Sequence, residues 1–378
     1  MKIALDISNT QSLHSSTGRY IYLLLQKYLE FYPEQEYVLY RLMGIRNLSF
    51  DKKFLPGGTN CCQIRTIPFI GRYANTIRRF WHFDDLFLKD IDIFHGYARN
   101  IPLFFRKKKK IFLTIYDIIP LIYPEFFEKR FRAQWFEFSK TIQYAQFDRI
   151  IAVSECTQRD LVNVLGVPQE KIKVIPLAVA PEFVEPVDPH ELKKILSELG
   201  LNEEYILVVG RLEPRKNIPR IIQAYELVRS NKNFLGKLVI VGNSYPLSKP
   251  VFDAYFSSPY KNDIMILKYV SSKTLRCLYQ GALVLAFVSL YEGFGFPILE
   301  AFASGIPVVT SKKSSLPEVG GEAALYVEPQ DVISIAEGLK EVVQDETLRK
   351  ALVQKGKEKL KEFSWEKTAQ ETFELYLK

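Results

Sequence analysis

Leu290-Tyr-Glu292-Gly-Phe-Gly-Phe-Pro297-Ile-Leu-Glu300-Ala-Phe-Ala-Ser-Gly305-Ile-Pro307 reads as strand, glycine loop, short helix and next strand. Pro297 suits the first helical position, where its missing N–H would have had no partner. Gly305 suits the residue just past a helix end, so the spacing predicts a helix from about Pro297 to Ser304. Glu292 then falls in the loop and Glu300 in the first turn. Gly293 and Gly295 let the backbone approach a ligand closely, and the unpaired N–H groups of the helix start suit an anion or a sugar hydroxyl. The Glu300 carboxylate can accept two hydrogen bonds from a vicinal diol such as ribose, while Glu292 can hold another hydroxyl-rich group. Glu300 can also simply complement the helix dipole.

The same alternation extends on both sides. Tyr205–Val209, Lys237–Val241, Ile264–Leu267, Ala282–Phe287 and Pro307–Thr310 are short apolar runs, each fit to be a buried strand. Before them, Lys2–Ile7, Ile91–Phe94, Ile111–Ile115 and Arg149–Val153 form an earlier series. Strands alternating with helical stretches mean parallel sheets covered by helices, here two doubly wound α/β domains. Four prolines between Pro176 and Pro189 mark an extended linker. The expected division is residues 1–185, residues 186–362, and a terminal helix over 363–378. That helix is capped by Ser364, has Trp365, Ala369, Phe373 and Tyr376 on one face, and is expected to pack back on the first domain.

At 378 residues, 47% apolar and 25% charged, the chain can fill two cores, and its ordinary Gly and Pro content excludes disordered and fibrous classes. No apolar run approaches the roughly 18 residues that cross a bilayer. Asp6 interrupts what would be the apolar core of a signal peptide, so the expected location is cytoplasmic, with a peripheral place on the inner membrane face as the alternative. The four cysteines include no C-x-x-C pair and read as structural thiols. The net charge of +8 is concentrated in the first half, where positions 41–110 hold 15 basic and 5 acidic residues. The run Arg106-Lys-Lys-Lys-Lys110, with Arg72, Arg78 and Arg79, suits either an anionic lipid surface or a solvated loop, with nucleic acid a weaker match.

A second chemical segment is Val208-Val-Gly210-Arg211-Leu-Glu-Pro-Arg215-Lys216-Asn217-Ile-Pro219, between a buried strand and a helix over Arg220–Val228. That junction is the ligand-facing edge of an open α/β sheet. Arg211 offers a planar fork and Lys216 a point charge, which together could neutralise a leaving diphosphate without a metal. Asp90-Ile-Asp92 spells a metal-binding D-x-D, but it enters a strand, at the wrong edge of the sheet for ligands. Neither a dinucleotide fingerprint nor a P-loop occurs.

Together these motifs resemble the retaining family-4 glycosyltransferases of GT-B fold. The features are Glu292-x7-Glu300, Gly210-Arg211 with Lys216-Asn217, and Ser314-Ser315-Leu-Pro-Glu318. Phe94-His95-Gly96, Thr114-Ile-Tyr116-Asp117, Ala152-Val-Ser-Glu155 and Lys173-Val-Ile-Pro176 are similar to the mannosyltransferase B-like subgroup. The resemblance implies two Rossmann-like domains facing a cleft, with the acceptor on the first and a nucleotide sugar on the second. It places Arg211 and Lys216 on the donor diphosphate, Glu300 on the ribose, and Tyr269 and Val270 beside the base. Glu292 and the backbone of Gly293, Phe294, Gly295 and Phe296 would hold the transferred sugar, and the Gly18 amide would touch a phosphate. Asp117 and Glu292 are then the candidate catalytic residues.

The family usually has His-Asp where this chain has Tyr116-Asp117. A tyrosine hydroxyl can donate one hydrogen bond but does not carry an imidazole's proton near neutral pH. Asp117 suits either acceptor deprotonation or a structural strand-end acid. His95 suits either the sugar side or the core. The resemblance implies no metal, and a donor that is GDP-mannose or a UDP-sugar. The implied acceptor is a saccharide or lipid-linked saccharide of surface polysaccharide or lipopolysaccharide synthesis. The alternatives are a noncatalytic sugar-nucleotide-binding partner protein and a GT-B sugar-nucleotide epimerase.

Overall fold

Two parallel sheets organise the computed structural model, which describes residues 1–8, 16–44, 62–69, 88–97, 109–144, 147–232 and 234–378. The first contains β1 (Lys2–Asp6), β2 (Glu36–Gly44), β3 (Cys62–Phe69), β4 (Ile93–Tyr97), β5 (Lys110–Ile115), β6 (Arg149–Ala152) and β7 (Ile172–Val174), in the order β3-β2-β1-β4-β5-β6-β7. The second contains β8 (Tyr205–Val209), β9 (Lys237–Val241), β10 (Ile264–Leu267), β11 (Val284–Phe287), β12 (Val308–Ser311) and β13 (Ala324–Val327), ordered β10-β9-β8-β11-β12-β13. Every pairing is parallel, with Ile3 opposite both Tyr37 and Ile93 in one sheet and Leu285 opposite Leu207 in the other. Both strand orders reverse in the middle, at β1/β4 and at β8/β11. Connections leave such a point in opposite directions and open a crevice over the strands' carboxyl ends.

Among the described residues, the helices of eight or more residues are α1 (Ser16–Phe31), α2 (Lys129–Tyr144), α3 (Glu155–Leu165), α4 (Pro189–Glu198), α5 (Ile218–Ser230) and α6 (Lys249–Ser257). They continue as α7 (Ser272–Gln280), α8 (Phe296–Ala303), α9 (Val332–Gln344), α10 (Glu346–Leu360) and α11 (Trp365–Leu377). Among the described residues, no helix is long and apolar enough to cross a membrane. The chain divides into one unit of Met1–Ile118, Ala133–Leu177 and Ser364–Lys378, and a second of Ile119–Arg132 and Ala178–Phe363. The division falls between Leu177 and Ala178 rather than at 185/186. The stretch expected to be an extended linker instead carries the 3-10 turn Pro181–Phe183, with Phe183 fully buried against Tyr279.

The second unit's core is aliphatic, with Ile206, Ile221, Ile240, Val284 and Leu339 at 0% exposure. The first unit's core is rich in tyrosine: Tyr20, Tyr28, Tyr37, Tyr40, Tyr97 and Tyr376 are all buried. Helix α11 belongs to this unit. Ser364 caps it by accepting from the Lys367 N–H, Phe373 stacks on Tyr32 with ring centroids 3.6 Å apart, and the Tyr28 hydroxyl donates to that of Tyr376 at 3.1 Å.

Several sequence expectations change here. Helix α8 begins at Phe296, so Glu300 is its fifth residue and lies beyond the first turn, where the helix dipole holds an acid best. Of the basic run, Lys109 donates to the Leu88 carbonyl and Lys110 to the Tyr376 carbonyl at 3.1 Å; both are only partly exposed. Arg106, Lys107 and Lys108, like Arg72, Arg78 and Arg79, lie outside the described residues. Asp90 is paired with Arg65 and with Lys2 at 2.9 Å, and Asp92 accepts the Lys2 amide at 2.8 Å, so both D-x-D carboxylates pin the entry edge of the sheet.

Candidate active site

The β8 end of the second unit's switch point is shaped by Gly210. Its φ of 147° lies in the region that favours glycine, and a Cβ there would sit 2.9 Å from Lys216 Cε. The missing side chain therefore lets Lys216 fold back over the strand end. The 3-10 turn Pro214–Lys216 sends Arg215 and Lys216 toward one place. Asn217, buried at φ 60°, closes the turn by donating from Nδ2 to the carbonyls of Val288 (3.2 Å) and Pro329 (2.6 Å).

The β11 end carries the glutamate loop, held from behind by hydroxyls of β12 and the turn after it. Thr310 Oγ1 donates to the Phe287 carbonyl and Ser311 Oγ to that of Ser289. The Glu292 amide donates to Ser314 Oγ at 2.9 Å. Ser315 Oγ lies 2.9 and 2.5 Å from the carbonyls of Glu292 and Phe294, sharing one proton between them. Gly295, at φ 135°, makes the turn into α8. Sequence reasoning quoted Ser314 and Ser315 as a motif but assigned them no task. A pair of small hydroxyls carries no periodic signal, and only folding puts them behind the loop.

Five charged side chains meet between the two strand ends. Lys216 Nζ is 2.6 Å from Glu292 Oε1, and Arg215 Nη1 bonds Glu292 Oε2. Arg215 Nε donates to Glu213 Oε2 at 2.8 Å, and Arg211 Nη1 to Glu213 Oε1 at 2.9 Å. Lys216, Glu213 and Glu292 are buried, whereas the Arg211 side chain is 64% exposed. Burial alone would push the Glu292 carboxyl up, but Arg215 and Lys216 override it and hold it at about 2. Lys216 is pulled below the usual lysine range by burial, against the attraction of Glu292 and with the repulsion of Arg215. The two cations expected on a diphosphate thus already hold carboxylates, Lys216 that of Glu292 and Arg211 that of Glu213. Arg215 and Glu213 escaped sequence analysis as site residues. Their clue was the alternation of charge in Arg211-x-Glu213-x-Arg215-Lys216.

Glu300 is buried and accepts from the Tyr279 hydroxyl of α7 at 2.7 Å. Tyr269 is 60% exposed, with Val270 half-buried beside it in the loop before α7. Gly293 and Phe294 are buried, and Phe296 packs edge-on against Phe294. The other expected residues belong to the first unit. Gly18 is buried near the start of α1. Tyr116 and Asp117 follow β5 half-buried; the Tyr116 ring meets Tyr20 edge-on, and its carbonyl accepts from Thr157. Of the two places open to His95, the structure gives it the core: at 0% exposure its Nδ1 meets the Tyr376 hydroxyl at 2.5 Å and its Nε2 that of Thr114 at 2.7 Å. Both ring nitrogens are engaged within the core, so it faces no sugar.

Residues 191–359 match the family model for glycosyl transferases group 1, and residues 46–183 that for glycosyltransferase family 4. The chain is 31% identical over 285 residues to O-antigen chain mannosyltransferase B of Escherichia coli, covering 75% of this chain and 74% of that protein. The chain belongs to the family-4 glycosyltransferases. Sucrose-phosphate synthase from Thermosynechococcus elongatus aligns over 100% of the chain and 98% of its own, with a TM-score of 0.78 and 18% identity. Anabaena HepE, solved with UDP and glucose, covers 99% and 98% with a TM-score of 0.75 and 14% identity. At such identities these structures speak for the fold, which is GT-B. This family-4 glycosyltransferase is therefore an enzyme of the retaining kind, and its donors are nucleotide sugars.

Proposed function

We propose that this glycosyltransferase moves a mannosyl residue from GDP-mannose, or failing that a hexose from a UDP-sugar, to a saccharide or lipid-linked saccharide in surface polysaccharide synthesis. The observation that carries the donor side is the buried Lys216–Glu292 pair at the β8/β11 switch point. A buried ion pair is costly to desolvate and weak as a source of stability, so its place at a strand-end crevice points to ligand chemistry. The sugar and acceptor class rest on the name of the Escherichia coli relative, a mannosyltransferase of O-antigen chains.

As the glycosidic bond to phosphate breaks, negative charge grows on the diphosphate and positive charge on the sugar ring. Lys216 and Arg211 stabilise the first, and cations already set in place act without reorganising at the moment of reaction. Glu300, oriented by Tyr279, accepts from the ribose hydroxyls. Glu292 and the Gly293–Phe296 backbone hold the transferred sugar, and Tyr269 and Val270 flank the base. Asp117, or the departing phosphate itself, receives the acceptor proton. Contact with an anionic membrane would fall to basic residues other than Lys109 and Lys110, which already serve backbone carbonyls.

Calorimetric titration of GDP-mannose, UDP-glucose, UDP-galactose and UDP-N-acetylglucosamine tests the donor reading. One nucleotide class should bind selectively. Lys216→Ala and Glu300→Ala should each weaken it about 10- to 100-fold, the span of a charge-assisted hydrogen bond. A folded wild type that binds none of the four would sink the proposal.

A further inference from the structure

Glu213 and Arg215 have no task in the donor scheme above, yet both are held inside the charged cluster, with Glu213 only 4% exposed. Arg215 is the one cation that touches both carboxylates there, Glu213 through Nε and Glu292 through Nη1. Its backbone is fixed as well: the Arg215 carbonyl accepts the Leu290 amide at 2.8 Å, and Nη1 lies 3.4 Å from the Tyr291 carbonyl. Arg215 is thus tied by its backbone and by its guanidinium to the chain leading into Glu292.

The cluster counts three cations and two carboxylates. A donor diphosphate arriving at Lys216 competes with Glu292 for the same ammonium. If Lys216 were the sole partner of Glu292, turning it toward phosphate would leave a buried carboxylate unpaired, which is strongly unfavourable. The lysine would then stay with the glutamate. A second cation on Glu292 removes that conflict, because the carboxylate keeps a charge-assisted partner while the ammonium is shared. Glu213 completes the device by taking the other edge of the Arg215 fork and fixing its orientation.

We infer that Arg215, oriented by Glu213, is a positioning residue that retains the Glu292 carboxylate for the transferred sugar while Lys216 turns to the donor diphosphate. The inference rests on the donor reading above. Arg215 itself touches no substrate, and its effect passes through Glu292 and Lys216. Losing it should therefore weaken both the bare nucleoside diphosphate and the nucleotide sugar through Lys216, and the nucleotide sugar further, since only the latter also contacts Glu292.

The test is a double-mutant cycle read by calorimetry with GDP-mannose and GDP, or with UDP-glucose and UDP if the wild type selects uridine. Arg215→Met should weaken the nucleotide sugar at least tenfold in the wild-type background and less than threefold when Glu292→Gln is already present. Its loss on the nucleoside diphosphate should be several-fold smaller. Arg215→Lys, which keeps the charge but lacks the planar fork that fixes both carboxylates, should recover the nucleoside diphosphate more fully than the nucleotide sugar. Glu213→Gln should weaken the nucleotide sugar in the same direction as Arg215→Met but less, and it carries the comparison if Arg215→Met does not fold. Equal losses on both ligands, or equal factors in both backgrounds, would reduce Arg215 to a structural ion pair and overturn the inference. Lys216→Ala, run alongside, separates the two failures. If it abolishes binding while the Arg215 variants match the wild type, the inference alone fails; if the wild type binds neither ligand, the donor reading fails.

Discussion

Glu292 concentrates the physics of the second unit in one side chain. Burial opposes its charge, two cations enforce it, and three serine and glycine neighbours fix the backbone that carries it. Its folded pKa of about 2 lies below the 4.5 of an ordinary glutamate, so the unfolded chain binds the extra proton between those values. The resulting stability is complete above pH 4.5 and is lost as pH falls toward 2, in total about 3 kcal/mol. Glu292→Gln should therefore melt well below the wild type at pH 7, where Lys216 loses its counter-charge and Arg215 one of its two, and the gap should close between pH 4.5 and 2. A gap unchanged across that window in scanning calorimetry would contradict the assigned pairing. Glu292, Glu300, Arg211 and Lys216 were legible in the sequence because acids and cations beside glycine turns at strand ends are few. Which cation would meet which acid was not. Arg215 and Lys216 are adjacent in the chain, and only the turn at Pro214 aims both at Glu292.

Strands were legible where they form an uninterrupted apolar run, which most central strands do. The central strands β1, β4, β5, β8, β9 and β11 are covered on both faces, so each had to be a short apolar run, and the sequence displays them. The edge strands β3, β7 and β13 were missed, because an edge accepts Arg65, Lys173 and other polar residues and so loses the signal, whereas the edge strand β10, apolar throughout, was read; the interior β2 was missed because Glu36 opens it and Arg41 interrupts its apolar run. His95 shows the same limit from the other side. As a histidine at a strand end it suited a ligand, but β4 and α11 enclose it. Burial lowers its pKa from 6.5 to about 3, so the unfolded chain takes up the proton first as pH falls. The neutral folded form is fully favoured above pH 6.5 and loses that advantage as pH falls toward 3. Between pH 6.5 and 4.5, before Glu292 titrates, the first unit should lose about 2 kcal/mol from this group. His95→Asn should be less stable than the wild type at pH 7 yet lose less over that interval; parallel pH dependence of the two unfolding midpoints would refute it.

On the scale of the molecule, the first unit is assembled from three separated stretches, and the last of them is a single helix. Trp365, Phe373 and Tyr376 are each at least 95% buried in that unit. Burying each contributes about 2–3 kcal/mol. Further ties run from Thr368 to the Pro176 carbonyl at 2.8 Å and from Tyr376 to Phe112, with ring centroids 4.9 Å apart. Together these approach the whole stability of an ordinary domain, about 5–15 kcal/mol. The second unit is different in kind: its core of Ile206, Val284, Leu339 and their neighbours is drawn entirely from its own segments. Deleting residues 364–378 should therefore strip amide protection from β1, β4, β5 and α1 while leaving β8, β9 and β11 protected. Hydrogen exchange read by mass spectrometry reports both halves in one experiment. The calorimetric signal for GDP should survive the deletion, because Lys216, Glu292 and Glu300 all lie in the unit that keeps its core. If both halves lose protection together, the two units do not hold their cores independently, and the terminal helix is a fastening for the whole chain rather than for one sheet.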